Sequence, residues 1–258
     1  MALPPIFYPF RLDITDKQAL DRDGHLVLPS IITEQASQEM TRALTEIQPL
    51  RESKEPVLSH HSGYAGEYDP YLGSLIAHPQ MLELMHRILG PEIRFDHCCT
   101  INRPAGHPGF GWHSHEYADQ QPELGLIRIF FYLNGFSRND AALKVVAGSH
   151  LYRDGDIGKS VAPTGSDKQL IKHWLQDKTH PYSGQPLEIE VLEVPPRTAI
   201  LMWTHAAHAV NARQPGSPTR WTVVYGYRNP GVPSSARRVS QGFEQNPPPG
   251  LEGLLPAY

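Results

Sequence analysis

Cysteine is nearly absent from this chain. Its two cysteines, Cys98 and Cys99, are adjacent, which excludes a disulfide framework, and their apolar setting reads as inert core thiols. No stretch approaches the ~20 apolar residues that cross a bilayer as a helix. The first residues, Met1 to Ile14, lack a basic segment followed by a long apolar run, so no signal peptide is expected and a cytoplasmic location is the default expectation. Charge of one sign is not in excess. A net charge of −4 gives no electrostatic reason to expect nucleic acid or an anionic membrane as partner. Internal repeats are not apparent, nor is a domain boundary, so the expectation is one domain over 1–258, with its core at about 20–228.

What is present is proline, histidine and a change of periodicity. Of 258 residues, 25 are proline and 14 histidine. The prolines collect in loops and in the tail after Pro230, which reads as irregular. A short strand signal at Gly24–Leu28 is followed by an amphipathic helix capped by Thr33, with Ala36, Met40, Ala43, Leu44 and Ile47 on one face. Residues 51–73 read as a long polar loop. A second helix runs from Pro79 to Leu89 and stops at Gly90-Pro91.

From there the pattern is that of strands: Ile93–Asn102, Gly111–His115, Ile127–Leu133, Ala142–Val146, Leu187–Val194, Thr198–Trp203, Ala207–Asn211 and Arg220–Tyr227. Many short strands with Gly/Pro turns predict a mainly β protein, a sandwich or jelly roll with flanking α-helices. Leu151–Pro186 interrupts the strands. Its length and polarity suggest a lid, with a helix from Asp167 to Gln176.

The chemistry-bearing pattern is Trp112-His113-Ser114-His115, with His208 and Arg220 far downstream. Two imidazoles at i and i+2 on a strand project to one face, and a third from a distant strand can close a metal site. An isolated His-x-His is more often structural. Here it follows the Gly/Pro-rich turn 104–111 and precedes Ala147-Gly148-Ser149-His150, His208-Ala209-Val210-Asn211 and Arg220. Arg220 on a strand can clamp a carboxylate in a bidentate pair, and Thr222 has the period to point the same way. His205, three residues before His208, falls on the other strand face. His150 is expected to bond backbone rather than metal. His97, Tyr132 and Asn134 could line a pocket or simply pack, and His60 and His61 carry no clear message.

This order of motifs resembles the phytanoyl-CoA dioxygenase (PhyH) family of iron(II)/2-oxoglutarate-dependent oxygenases, over about residues 20 to 228. The opening Asp23-Gly24-His25-Leu26-Val27-Leu28-Pro29 is similar to the family's first strand. The resemblance implies a double-stranded β-helix (jelly roll) with the metal between its sheets, His113 and His208 as ligands, and Arg220 on the far carboxylate of 2-oxoglutarate. The implied cofactors are Fe(II) and the co-substrate 2-oxoglutarate. The implied reaction oxidises a C–H bond of a small-molecule substrate, with specialised metabolites as a candidate class, using dioxygen.

The departure is His115, where the family carries Asp or Glu. His115 can be a true third ligand, giving a three-histidine site (His113, His115, His208). Alternatively a local bulge turns Glu116 inward, or the site has lost its chemistry. A small residue there would open a halide position; histidine disfavours it. A three-histidine dioxygenase independent of 2-oxoglutarate and a disabled binding protein on the same fold are the rival functions.

Overall fold

In the computed structural model, the described residues are 3–52, 63–115, 124–153, 157, 165–231 and 237–256. Among these residues, nine strands form two antiparallel sheets. The larger orders β1 (His25–Leu28), β7 (Thr198–Trp203), β4 (Leu126–Tyr132), β9 (Thr222–Arg228) and β2 (Arg94–Thr100). The smaller orders β3 (Phe110–His113), β8 (His208–Val210), β5 (Leu143–Val146) and β6 (Ile189–Val191). All the strands expected from the sequence are present, each shifted or trimmed by a few residues at most.

Strand alternation sorts the larger sheet into two faces. Ile127, Ile129, Phe131, Leu201, Tyr225 and Tyr227 face outward and pack against the helical layer. Phe130, Tyr132, Ile200, Met202 and Val224 face inward and meet Leu143, Val145 and Val210 of the smaller sheet. The smaller sheet's other side carries Trp112, Val146, Ala207 and Ala209, covered by Trp174, Leu175 and Leu170. The space between the sheets is therefore the natural place for inward polar side chains.

The helices begin where short polar side chains cap them. Asp13 and Asp16 form a reciprocal capping box for α1 (Ile14–Asp23). This helix had no clear apolar stripe and was not anticipated. Thr33 Oγ1 accepts from the Ala36 amide at the start of α2 (Glu34–Glu52). Within the expected loop 51–73, residues 53–62 lie outside the described residues, His60 and His61 among them. The remainder holds two short helices, α3 (Ala65–Tyr68) and α4 (Pro70–Leu75), the second capped by Asp69. Helix α5 spans Pro79–Leu89 as expected.

Two regions differ from expectation. In 151–186, residues 154–156 and 158–164 lie outside the described residues. The expected helix is one α-turn, Asp167–Leu170, continued as a π-helix over Ile171–Leu175. The tail is less irregular than its prolines suggest. It carries α-helix Gln241–Gln245, and Leu251, Leu254 and Leu255 are buried in the outer core, with the Phe95 amide donating to the Leu254 carbonyl at 2.8 Å. Three leucines among prolines were enough to anchor it. Among the described residues, no helix is long and apolar enough to cross a membrane.

His150 bonds backbone, as anticipated: its Nε2 lies 2.9 Å from the Asp21 carbonyl. Its Nδ1 is buried and has no partner among the described residues. Burial pushes its pKa down to about 4 from the ordinary 6.5. The unfolded chain therefore takes up this proton first as pH falls. Stability from the neutral ring is complete above pH 6.5 and is lost as pH falls through that range towards 4. Urea midpoints should decline over this window, and less steeply in His150→Gln. An identical pH slope in the variant would remove His150 as a cause.

Candidate metal centre

The turn before β3 is tight. Gly109 has φ +84°, and a Cβ there would lie 2.2 Å from the Val210 carbonyl oxygen, so only glycine lets this turn close onto β8. Strand β3 then pairs with β8 so that His113 and His208 stand directly opposite each other. Their ring centroids are 4.0 Å apart. The chain leaves the strand after His113, but the His115 amide donates to the Thr204 carbonyl at 3.1 Å and brings its ring alongside. The His115 centroid lies 4.9 Å from that of His113 and 5.2 Å from that of His208. One ring nitrogen from each of the three lies within 4.8 Å of the other two.

Hydrogen bonds set two of these rings. His113 Nδ1 lies 2.9 Å from the Gly111 carbonyl and His208 Nδ1 lies 2.8 Å from the Ala206 carbonyl. A carbonyl only accepts, so Nδ1 carries the proton and Nε2 keeps its lone pair, the arrangement usual for a ligating histidine. Burial holds both rings neutral: the His113 pKa falls to about 4 and that of His208 lies well below the ordinary value. His115 is depressed too, first by burial and then by Arg128. Neutral imidazoles with inward lone pairs fit a divalent metal. Glu116 lies outside the described residues.

Arg220 lies at the other end of the inner face and is fully buried. Its Nη1 donates to the Ala141 carbonyl, while Nε and Nη2 have no partner among the described residues. The guanidinium lies over Tyr132 (5.2 Å to the ring centroid) and Phe136 (5.7 Å). Burial lowers its pKa to about 10, so it stays charged at neutral pH. Thr222 follows on the same strand face, and its buried Oγ1 is also unpartnered among the described residues. Two open donors on a planar fork beside a free hydroxyl match a carboxylate. Asn134 is committed elsewhere, bonding the Thr219 carbonyl and the Trp221 amide. His205 faces Arg153 (3.3 Å) rather than the three rings. The Cys99 thiol is pushed up to about 11 and that of Cys98 higher still, by burial, as inert thiols should be.

Sequence reasoning missed Arg128. It sits in the middle of β4, Leu-Ile-Arg-Ile-Phe-Phe-Tyr, and its Nη1 lies 2.7 Å from His115 Nε2. A lone charge in a buried apolar strand was the available signal. The Asp96–His97 pair was also underrated. A bulge between Phe95 and His97 keeps Phe95 and Cys98 outward while His97 turns in, with Nδ1 2.8 Å from Asp96. His97 and Arg128 both oppose Gly226 across β9. The His97 ring lies over that glycine, and a Cβ there would be 2.4 Å from its Cε1. Gly226→Ala should therefore cost ~1–3 kcal/mol by overpacking, measured by urea unfolding. An unchanged midpoint would show that the ring moves aside freely.

The match to known proteins follows this geometry. A sequence profile for phytanoyl-CoA dioxygenase (PhyH) matches residues 20–212. No curated protein matches the chain significantly in sequence. Among solved structures, HygX from Streptomyces hygroscopicus with nickel and 2-oxoglutarate bound superposes with a TM-score of 0.65 at 14% identity, over 86% of this chain and 89% of that one. EctD from S. alaskensis with 2-oxoglutarate and 5-hydroxyectoine gives 0.64 at 16% identity, over 96% and 87%. SnoK, a non-haem α-ketoglutarate-dependent carbocyclase from nogalamycin biosynthesis, gives 0.63 at 15%, over 95% and 92%. At such identities the structures establish a shared fold, whereas the profile covers most of the sequence, and on that ground the chain belongs to the phytanoyl-CoA dioxygenase family of non-haem iron- and 2-oxoglutarate-dependent oxygenases.

Proposed function

We propose that this chain is an iron(II)- and 2-oxoglutarate-dependent oxygenase that oxidises a C–H bond of a small molecule. The metal would be held by His113 and His208 through Nε2, with the His115 ring grouped beside them as the candidate third donor, and we read the two sheets as a double-stranded β-helix enclosing it. Bound there, iron(II) and 2-oxoglutarate supply the means to activate dioxygen, with 2-oxoglutarate ending as succinate and carbon dioxide. The observation that carries the reading is the pairing of two preset imidazoles with a buried guanidinium, two of whose nitrogens have no partner among the described residues, nor has the Thr222 hydroxyl two residues on.

The protein's own part is positional. Arg220 takes the far carboxylate of 2-oxoglutarate in a charge-assisted pair, and Thr222 shares it. The Gly111 and Ala206 carbonyls hold the two ring protons and so keep both lone pairs inward. Phe130, Val224 and Val145 supply apolar walls that exclude water from the inner face. Orientation of a substrate carbon against the metal is then the main catalytic contribution. EctD is solved with 5-hydroxyectoine bound and SnoK is a carbocyclase from nogalamycin biosynthesis, which favours a small-molecule substrate here as well.

The test is anaerobic titration of the protein with iron(II) and then 2-oxoglutarate. A metal-to-ligand charge-transfer band should appear with stoichiometric 2-oxoglutarate. Iron binding without that band, and turnover without succinate, would favour a dioxygenase that needs no 2-oxoglutarate. Failure to bind iron would favour a binding protein.

A further inference from the structure

The three histidines are not equivalent, and the difference lies in their hydrogen bonds. His113 and His208 each face a carbonyl through Nδ1, which leaves Nε2 as a free lone pair. His115 faces a guanidinium through Nε2, at 2.7 Å from Arg128 Nη1. An arginine only donates and is never deprotonated in such a site. Nε2 of His115 must therefore be the accepting nitrogen, and Nδ1 must carry the proton. A neutral imidazole has one ring lone pair. Here that lone pair is already engaged, and a metal at Nε2 would have to displace Arg128. Coordination through Nδ1 would require the proton to move to Nε2, where it would point at the guanidinium.

Arg128 is built into place rather than swinging freely. It lies in the centre of β4, paired with Met202 of β7 on one side and Gly226 of β9 on the other. Gly226 offers no side chain to compete for the space that Arg128 and His97 share along that row.

We infer that Arg128 controls the third ligand. By engaging the Nε2 lone pair of His115, it leaves the metal on His113 and His208, and His115 coordinates only when Arg128 is drawn away. Arg128 is thus a positioning residue. It makes the position that a carboxylate fills elsewhere in the family conditional, open to a small exogenous donor while His115 is held. The inference rests on the metal assignment proposed above, and the experiment separates the two.

The experiment is a double-mutant cycle in metal affinity, using Co(II) and Zn(II) as probes on wild type, His115→Ala, Arg128→Met and the double variant. Methionine keeps the apolar stem volume at position 128 without a donor. Far-UV circular dichroism and thermal midpoints establish that each variant is folded. His115→Ala alone should change the dissociation constant less than threefold. Arg128→Met should tighten binding at least tenfold by freeing the His115 lone pair, and adding His115→Ala should cancel that gain. Long-range ¹H–¹⁵N spectra of histidine-labelled wild type give a second readout. With Zn(II), two imidazoles should show coordination shifts, and His115 should remain the Nδ1–H tautomer as in the apo-protein. Three coordinated imidazoles in wild type, or an equal loss of affinity for His115→Ala in both backgrounds, would overturn the inference while leaving the metal centre intact. If wild type binds neither probe, the metal assignment itself fails. If Arg128→Met does not fold, the wild-type spectra alone decide.

Discussion

His208→Ala should abolish tight iron(II) binding, and His113→Ala should do the same, while both variants keep the fold. In each ring the proton is on Nδ1, facing a carbonyl, which leaves the Nε2 lone pair as the donor for a metal. Removing an outer-shell partner of a metal ligand already costs 10–100-fold in affinity, so losing a ligand outright should cost more than ~100-fold. The fold should survive because the strands that carry the rings are held by their ladders. His113 pairs with His208 and His208 with Val145 through backbone bonds that alanine retains. Without a metal the two rings weaken the fold only in acid, because burial depresses their pKa values and the unfolded chain takes up protons first as pH falls. The check is iron stoichiometry after anaerobic reconstitution, beside far-UV circular dichroism. Near-stoichiometric iron in either variant would remove that residue from the centre.

The sequence made the two sheets legible because both faces of the larger one are buried by different layers. The alternation Ile127-x-Ile129-x-Phe131 against Phe130-x-Tyr132 leaves a strand as the only economical reading. Helix α5 was legible to the residue because Pro79 and Gly90 mark its ends. Helix α1 was not, because its stability comes from Asp13 and Asp16 at the cap and only Leu20 is buried. The site was legible as far as residue type and spacing carry it. His-x-His, a distant histidine and a later arginine can be read from the chain, and the pairing of His113 with His208 followed. What spacing could not carry was which atom of each ring is free. That depends on partners distant in sequence: Arg128 lies thirteen residues from His115, on the opposite sheet. A charged residue in the middle of an apolar strand is the general signal of such a partner, because burying it unpaired would be too costly.

Arg220→Leu should raise the dissociation constant for 2-oxoglutarate by about 30-fold or more, while iron binding in its absence stays unchanged. Truncating one side of a buried charge pair costs ~2–5 kcal/mol, and 1.4 kcal/mol is tenfold. The prediction is sharpened by what Arg220 does without a ligand. Its Nη1 is satisfied by Ala141, but Nε and Nη2 are buried with no partner among the described residues, and its pKa is pulled down to about 10 by burial. Such a group is held at a cost that a bound carboxylate would relieve. Leucine in its place still packs on Tyr132 and Phe136 and removes that cost. The apo-variant should accordingly unfold at the same temperature as wild type or higher, even as 2-oxoglutarate affinity collapses. Arg220→Lys keeps charge without the fork and should recover part of the affinity. Loss of 2-oxoglutarate binding together with a large fall in apo stability would mean that Arg220 is a structural residue, and an unchanged 2-oxoglutarate constant would mean that the carboxylate sits elsewhere. A stabilised but 2-oxoglutarate-blind variant is the outcome that the buried, half-satisfied guanidinium requires.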